Sequence, residues 1–321
     1  RTSIQAYRTV FFTMGLAFTT VAGMFLYFKP TAEYPKGQLN PQAYQSLGIS
    51  ISVIILICSF LAIFGTLKYI PQLPKAVKEK QAKGIAALIQ EFKGIFANKN
   101  YLYVSGAYLS ANISSAILGA IGLHVFTYTF GMTNIGIGVI FGTMFGCSML
   151  SQGFWLWITK LYDKKDGALL AVGIALLGSI IFLVLVLNKE VVVNQYLWLL
   201  CYAVPAGVGI GGLITLPFSM IADTVDEEEV VTGHRSEGLY YGGLTFSYKM
   251  SQSVAIILVG IVLDVARFDP AATVQEEMTV IVLGLVVALG AILALLGAGF
   301  FYLKYDLTKA KVDAIKVQLG Y

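Results

Sequence analysis

The chain has 321 residues, of which 57% are hydrophobic and 12% charged, with a mean hydropathy of +0.76. A soluble domain carries roughly 45–50% apolar and about 25% charged residues, so these values exclude an ordinary water-soluble fold and describe a chain whose solvent is mostly lipid. A net charge of +4 gives no ground for a nucleic-acid partner, and Cys58, Cys147 and Cys201, each alone within an apolar run, point to neither a disulfide framework nor a metal site.

A membrane-crossing helix needs about 20 largely apolar residues. Eight stretches meet that test: 9–28, 46–67, 101–126, 135–158, 168–187, 195–221, 238–263 and 279–303. They are too long for strands and lack period-two alternation, which speaks against a β-barrel. The expected class is therefore an all-α membrane protein. The chain opens on Arg1, not Met, with no signal peptide ahead of it, and reads as a fragment or a processed product.

The first span carries a weak polar face through Thr13, Thr20 and Tyr27. Arg8 stands at its entrance, either as a positive anchor or pointing into a cavity. The long link after the second span is rich in lysine. Ile85, Leu88, Ile89, Phe92, Ile95 and Phe96 recur there at helical spacing, which predicts an amphipathic surface helix joining two bundles; a regulatory target is the alternative. The third span aligns Ser105, Tyr108, Asn112 and Ser115, and ends near His124, a packing residue rather than a proton relay.

The sixth span contains Gly207-Val208-Gly209-Ile210-Gly211-Gly212 between Pro205 and Pro217. No strand precedes it, so this is not a dinucleotide-binding loop; close helix packing or a pliable helix accounts for it better. The following link is acidic, with Asp223, Asp226, Glu227, Glu228, Glu229 and Glu237 against Arg235. Asp223, Asp226, Arg235 and Glu237 form either a cytoplasmic gate, through ion pairs to basic loops such as that around Lys160, Lys164 and Lys165, or part of a solvated acidic turn.

The seventh span holds the most informative residue. Lys249 lies about eleven residues inside it, roughly 16 Å deep. Placing Lys at a helix centre costs roughly 2.5–3.5 kcal/mol, so it should face protein or a water-filled cavity, as a structural cation or as a pathway residue. No carboxylate lies at that depth in the chain. Tyr241, Thr245, Tyr248 and Gln252 share its stripe, suited to a polyhydroxylated ligand or to interhelical hydrogen bonding.

Seventeen Lys and Arg fall on one side of the spans and four on the other, with Lys249 between. The bias puts both termini in the cytoplasm.

The run Pro217-x-x-Met220-Ile221-Ala222-Asp223-x-x-Asp226, then Thr232-Gly233-x-Arg235-x-Glu237-Gly238, Tyr240 or Tyr241, Phe246 and Lys249, resembles the glycoside–pentoside–hexuronide:cation symporters of the major facilitator superfamily. The opening Arg1-Thr2-x-x-x-x-Tyr7-Arg8 is similar to the start of that family's fifth helix. The resemblance implies a major facilitator-type bundle of which eight of twelve transmembrane helices, five to twelve, are present. Residues 1–67 would end the N-terminal bundle, 68–99 form the cytoplasmic middle loop, and 100–321 the C-terminal bundle and tail. It implies that acids on absent helices form the cation site, that Lys249 and Thr245 couple cation to substrate, and that Arg8 contacts substrate. Arg8, Asn112, Tyr241, Thr245, Lys249 and Gln252 are the expected substrate residues. A sugar-stacking Trp that one galactoside-transporting member carries on helix ten has no counterpart, since apolar residues stand near Ile214.

The expected function is Na+- or H+-coupled sugar symport by alternating access, without enzyme activity or a cofactor, by a monomer in membrane lipid, in a bacterial inner membrane. Lipid or lysolipid transport by the same superfamily, and a non-transport assembly or sensor role, are the rivals.

Overall fold

The computed structural model describes residues 2–72, 94–269, 272 and 275–320. Among them are eight helices long and apolar enough to cross a membrane: α1 (Thr2–Tyr27), α2 (Pro41–Leu67), α3 (Lys99–Thr129), α4 (Asn134–Leu161), α5 (Lys164–Leu187), α6 (Tyr196–Thr232), α7 (Glu237–Val265) and α8 (Glu277–Lys304). A short helix, α9 (Lys309–Gln318), follows. Contacts from Thr2 to Ser219, from Lys164 to Asp223 and from Lys165 to Leu303 bring the start of α1 and the end of α8 to one side of the described helices, here called the terminal face. Most of the amphipathic helix expected over 85–96 lies outside the described residues; of its last apolar positions, Ile95 is buried in a cluster with Tyr101 and Tyr240, and Phe96 is exposed.

Capping residues set several helix starts. The Asn40 side chain accepts from Gln42 N ahead of Pro41, Asn98 accepts from Tyr101 N, and Thr133 accepts from Gly136 N, each meeting a backbone donor that the first turn leaves free. Helix α6 ends at Gly233, whose φ of 72° is a left-handed conformation that glycine adopts without strain.

That end corrects one expectation. The acidic stretch is helical, because α6 runs to Thr232. Carboxylates near a helix C-terminus oppose its dipole, which makes a turn the natural guess. The cost is offset because Lys164 and Arg235 pair with Asp223 and Asp226.

Helices α3 to α8 pack as one group: α3 against α7 and α8, α6 against α4 and α5, and α5 against α8. The glycine run of α6 serves close approach. A Cβ at Gly207 would collide with the Met144 carbonyl of α4, and one at Gly212 would sit 2.7 Å from Ala171 of α5 and Trp155 of α4. Helix α1 joins this group along α4 and α6. Helix α2 meets chiefly the last part of α1, and the most apolar stretch of α2 has 0% of its residues buried. Two segments wind more widely than an α-helix, in the π manner: Phe18–Tyr27 of α1 and Val125–Thr129 of α3.

Candidate functional site

Between α1 and the α3–α8 group lies a cavity of about 430 Å³. Helix α1 lines it with Arg8, Thr9, Phe12, Leu16, Thr20 and Met24, mostly one turn apart. Helix α3 adds Tyr108, Asn112, Ser115, Leu118, Gly119 and Leu123. Helix α4 adds Phe141, Met144 and Phe145, α6 adds Ile210, Ile214 and Phe218, and α7 adds Thr245, Tyr248 and Gln252. Most of this wall is apolar or aromatic. Arg8, Ser115 and Thr245 line it yet stay exposed, so the cavity is open to its surroundings.

Toward the terminal face the wall becomes aromatic and cationic. The Arg8 guanidinium carbon sits 3.8 Å from the centre of the Phe218 ring, an attraction of about 0.5–2 kcal/mol depending on solvation. Tyr108 meets Phe218 edge-on, with ring centres 5.6 Å apart, and Tyr241 stacks on it at 6.0 Å. The Tyr241 hydroxyl donates to the Phe218 carbonyl at 3.0 Å. The ring under Arg8 is thus held from three sides.

Beside Arg8 a chain of hydrogen bonds crosses from α1 through α6 to α4. Thr215 Oγ1 is 2.7 Å from both Thr9 Oγ1 and Gln152 Oε1. Gln152 Nε2 donates to the Ser148 and Gly211 carbonyls. Nearer the terminal face, Thr2 and Ser219 hydroxyls lie 2.8 Å apart. All of these polar groups except Thr2 are buried, where each must find a partner.

Of the six expected substrate residues, the fold brings Arg8, Asn112, Thr245 and Gln252 to the cavity. Asn112 donates one amide proton to the Tyr108 carbonyl at 2.7 Å, leaving its oxygen available. Thr245 donates to the Tyr241 carbonyl at 2.9 Å and can still accept. Tyr241 stands one layer back, as the support of Phe218. Lys249 departs from expectation: it does not line the cavity but stands exposed on the flank of the α7 stripe, its Nζ 5.6 Å from the Tyr248 ring. It lies about 40° around the helix from Thr245, on the side turned from α3. Among the described residues no carboxylate is within ion-pair distance of it.

The four expected gate residues come together at the terminal face. Lys164 Nζ is 2.6 Å from Asp223 Oδ2 and also donates to the Ser219 carbonyl. Arg235 bonds Asp226 at 3.0 Å and also pairs with Glu229 and Glu237. Burial by itself would lower the Arg235 pKa; the three carboxylates outweigh it and raise it. Asp223 and Asp226 are 2% and 0% exposed, so the stretch is no solvated turn. These pairs tie the end of α6 to the start of α5 and to the α6–α7 link.

Other polar residues singled out from the sequence divide. Thr20, Tyr108 and Ser115 line the cavity, whereas Thr13 and Ser105 are buried outside its wall. His124 packs among rings, 6.4 Å from Tyr128 and 5.4 Å from Phe268. Sequence reasoning missed Phe218, Thr215 and Gln152. Phe218 was within reach: it stands one turn beyond Ile214, on the same face.

Residues 1–309 match the family described as MFS/sugar transport protein, and the chain belongs to that family. Among curated relatives, an uncharacterized symporter of Synechocystis is 26% identical over 239 residues, covering 72% of this chain and 42% of the relative. The human sodium-dependent lysophosphatidylcholine symporter 1 is 21% identical over 257 residues, 79% of this chain and 45% of that protein. A sphingosine-1-phosphate transporter of Xenopus tropicalis is 27% identical over 181 residues, 54% of this chain and 34% of its own length. The chain thus spans less than half the length of the relatives it matches.

Proposed function

We propose that this chain forms much of the substrate pathway of a cation-coupled symporter working by alternating access, and that the substrate is an amphiphile. The carrying observation is the cavity's asymmetry. A cation on an aromatic bed lies at one end, and Phe12, Leu16, Met24, Phe141 and Phe145 continue away from it, with single amide and hydroxyl groups such as Asn112, Ser115 and Thr20 set among them. An anionic or zwitterionic head pairs with Arg8, and an apolar portion follows the α1–α4 wall. A sugar presents hydroxyls all around, and each one turned to such a wall loses a partner. Sodium-dependent lysophosphatidylcholine symporters among the relatives support the same reading.

Sugar symport is the second reading. It is favoured by Asn112, Thr20, Ser115 and Gln252, whose hydrogen-bonding groups share the cavity with the Tyr108 and Tyr248 rings. In either case Lys249, on the open flank beside Thr245, links substrate to Na+ or H+. The terminal face is the cytoplasmic one, in a bacterial inner membrane. Residues 1–67 belong to one bundle and 100–321 to the other. The Lys164–Asp223 and Arg235 pairs act on closure indirectly, by fixing the end of α6 on which Thr2 and Arg8 rest.

The test is uptake by the intact protein in proteoliposomes with an imposed Na+ or H+ gradient, offering a lysophospholipid, a long-chain acyl anion and a panel of glycosides. Gradient-stimulated uptake of an amphiphile is expected. Accumulation of a glycoside alone rejects the amphiphile reading, and indifference to both gradients rejects symport.

A further inference from the structure

The link 28–40 between α1 and α2 lies on the face opposite the chain ends. It is unusual for a connecting segment, because Gln38 within it is only 1% exposed. Gln38 Nε2 donates to Thr127 Oγ1 at 3.2 Å and to the Met132 carbonyl at 3.1 Å. Two residues away, Lys36 Nζ donates to the Thr127 carbonyl at 2.9 Å. From the other side Asn134, the first residue of α4 and 3% exposed, donates to the Met24 carbonyl at 2.9 Å. The link is folded tightly enough that a Cβ at Gly37 would strike the Phe28 carbonyl.

Two of the receiving carbonyls, those of Met24 and Thr127, have a common origin. Met24 and Thr127 sit near the ends of the two π-wound segments, where the last carbonyls of a helix lack partners within it. Each is capped by a side chain of the opposite unit: α3's carbonyl by Lys36, α1's carbonyl by Asn134. These bonds hold α1 with its link to the α3–α4 corner, across the line along which the cavity must open. Met24 also lines the cavity, so one residue is shared by the ligand wall and the capped carbonyl.

We propose that Lys36, Gln38 and Asn134 form the closure of the cavity on the face opposite the chain ends, and that their bonds break when that face opens. They are positioning residues that set the opening equilibrium without touching substrate. The inference rests on the alternating-access reading given above.

The test uses the intact protein with its native cysteines replaced and Gly119→Cys as reporter; Gly119 lines the cavity, and a Cβ there meets nothing within 4 Å. Labelling by a membrane-impermeant maleimide, added from the face of the link, reports opening. Gln38→Ala and Lys36→Met are each expected to speed labelling about 3- to 10-fold, the weight of one ordinary hydrogen bond. A Gln38→Cys/Thr127→Cys pair, oxidised in the folded protein, is expected to stop both labelling and uptake until reduced. If the parent responds to substrate and gradient but the single variants label at its rate, or uptake continues with the disulfide formed, the closure is elsewhere and the inference alone falls. If parent labelling from neither face responds to substrate or gradient, alternating access itself falls, and the inference with it.

Discussion

The cavity has two flanks of opposite character. On the α1–α6 flank the polar groups are held by the chain itself: Arg8 lies on Phe218, Phe218 is braced by Tyr108 and Tyr241, and Thr9 is chained through Thr215 to Gln152. On the α7 flank Thr245 and Lys249 are exposed, with the Tyr248 ring 5.6 Å from the ammonium. Groups locked by neighbours hold a fixed geometry and suit recognition. Groups left open change partners between states and suit coupling.

The largest effect that could break this contrast is on Lys249. Lys249→Gln in the intact protein is expected to abolish gradient-driven accumulation while substrate binding without the cation stays within about twofold, because what is lost is the stimulation of binding by the cation, a coupling worth about 5- to 150-fold in mutual affinity. Uptake and equilibrium binding measured side by side decide it; accumulation that survives removes the coupling role. Arg8 comes next, with the opposite pattern. Arg8→Ala is expected to weaken binding of an anionic amphiphile about 10- to 100-fold, the weight of hydrogen bonds to a charged group. Arg8→Lys should recover only part, since an ammonium lacks the planar fork and the stack on Phe218. A loss under twofold in both variants makes Arg8 a plain interfacial anchor.

The eight spans were legible because lipid length and hydropathy leave few alternatives, and the α7 stripe and the α3 face were legible because helical spacing is arithmetic. What escaped depends on rotation about a helix axis and on partners far away in sequence. Lys249 was expected in the cavity from its depth, but depth says nothing of azimuth. Phe218 and Thr215 are ordinary residues until α1 lies against them. The acidic end of α6 looked like a link because carboxylates disfavour a helix C-terminus; the basic segment around Lys164 was named as a partner, but not that its pairing would let the helix run on. Gln38 gave no signal, being a single amide in a polar link whose partners lie 89 and 94 residues away.

The smallest effect sharpens the contrast most. Thr215→Val keeps side-chain shape and removes the hydroxyl between Thr9 and Gln152. Gln152 Oε1 then loses a buried donor, and an expected cost of about 1 kcal/mol follows, since membrane hydrogen bonds average about 0.6 and reach about 1.7 kcal/mol. Thr245→Val, on the open flank, removes a bond only to its own helix and should cost less than about 0.5 kcal/mol. Thermal unfolding of the two variants in detergent tests the ranking. The Thr9→Val/Thr215→Val double variant tests the chain: coupled hydroxyls give a double-variant cost well below the sum of the singles. Strict additivity would mean that the Thr9–Thr215 contact adds nothing to the hold of α1 on α6, which would then rest on Arg8, the Thr2–Ser219 contact and packing.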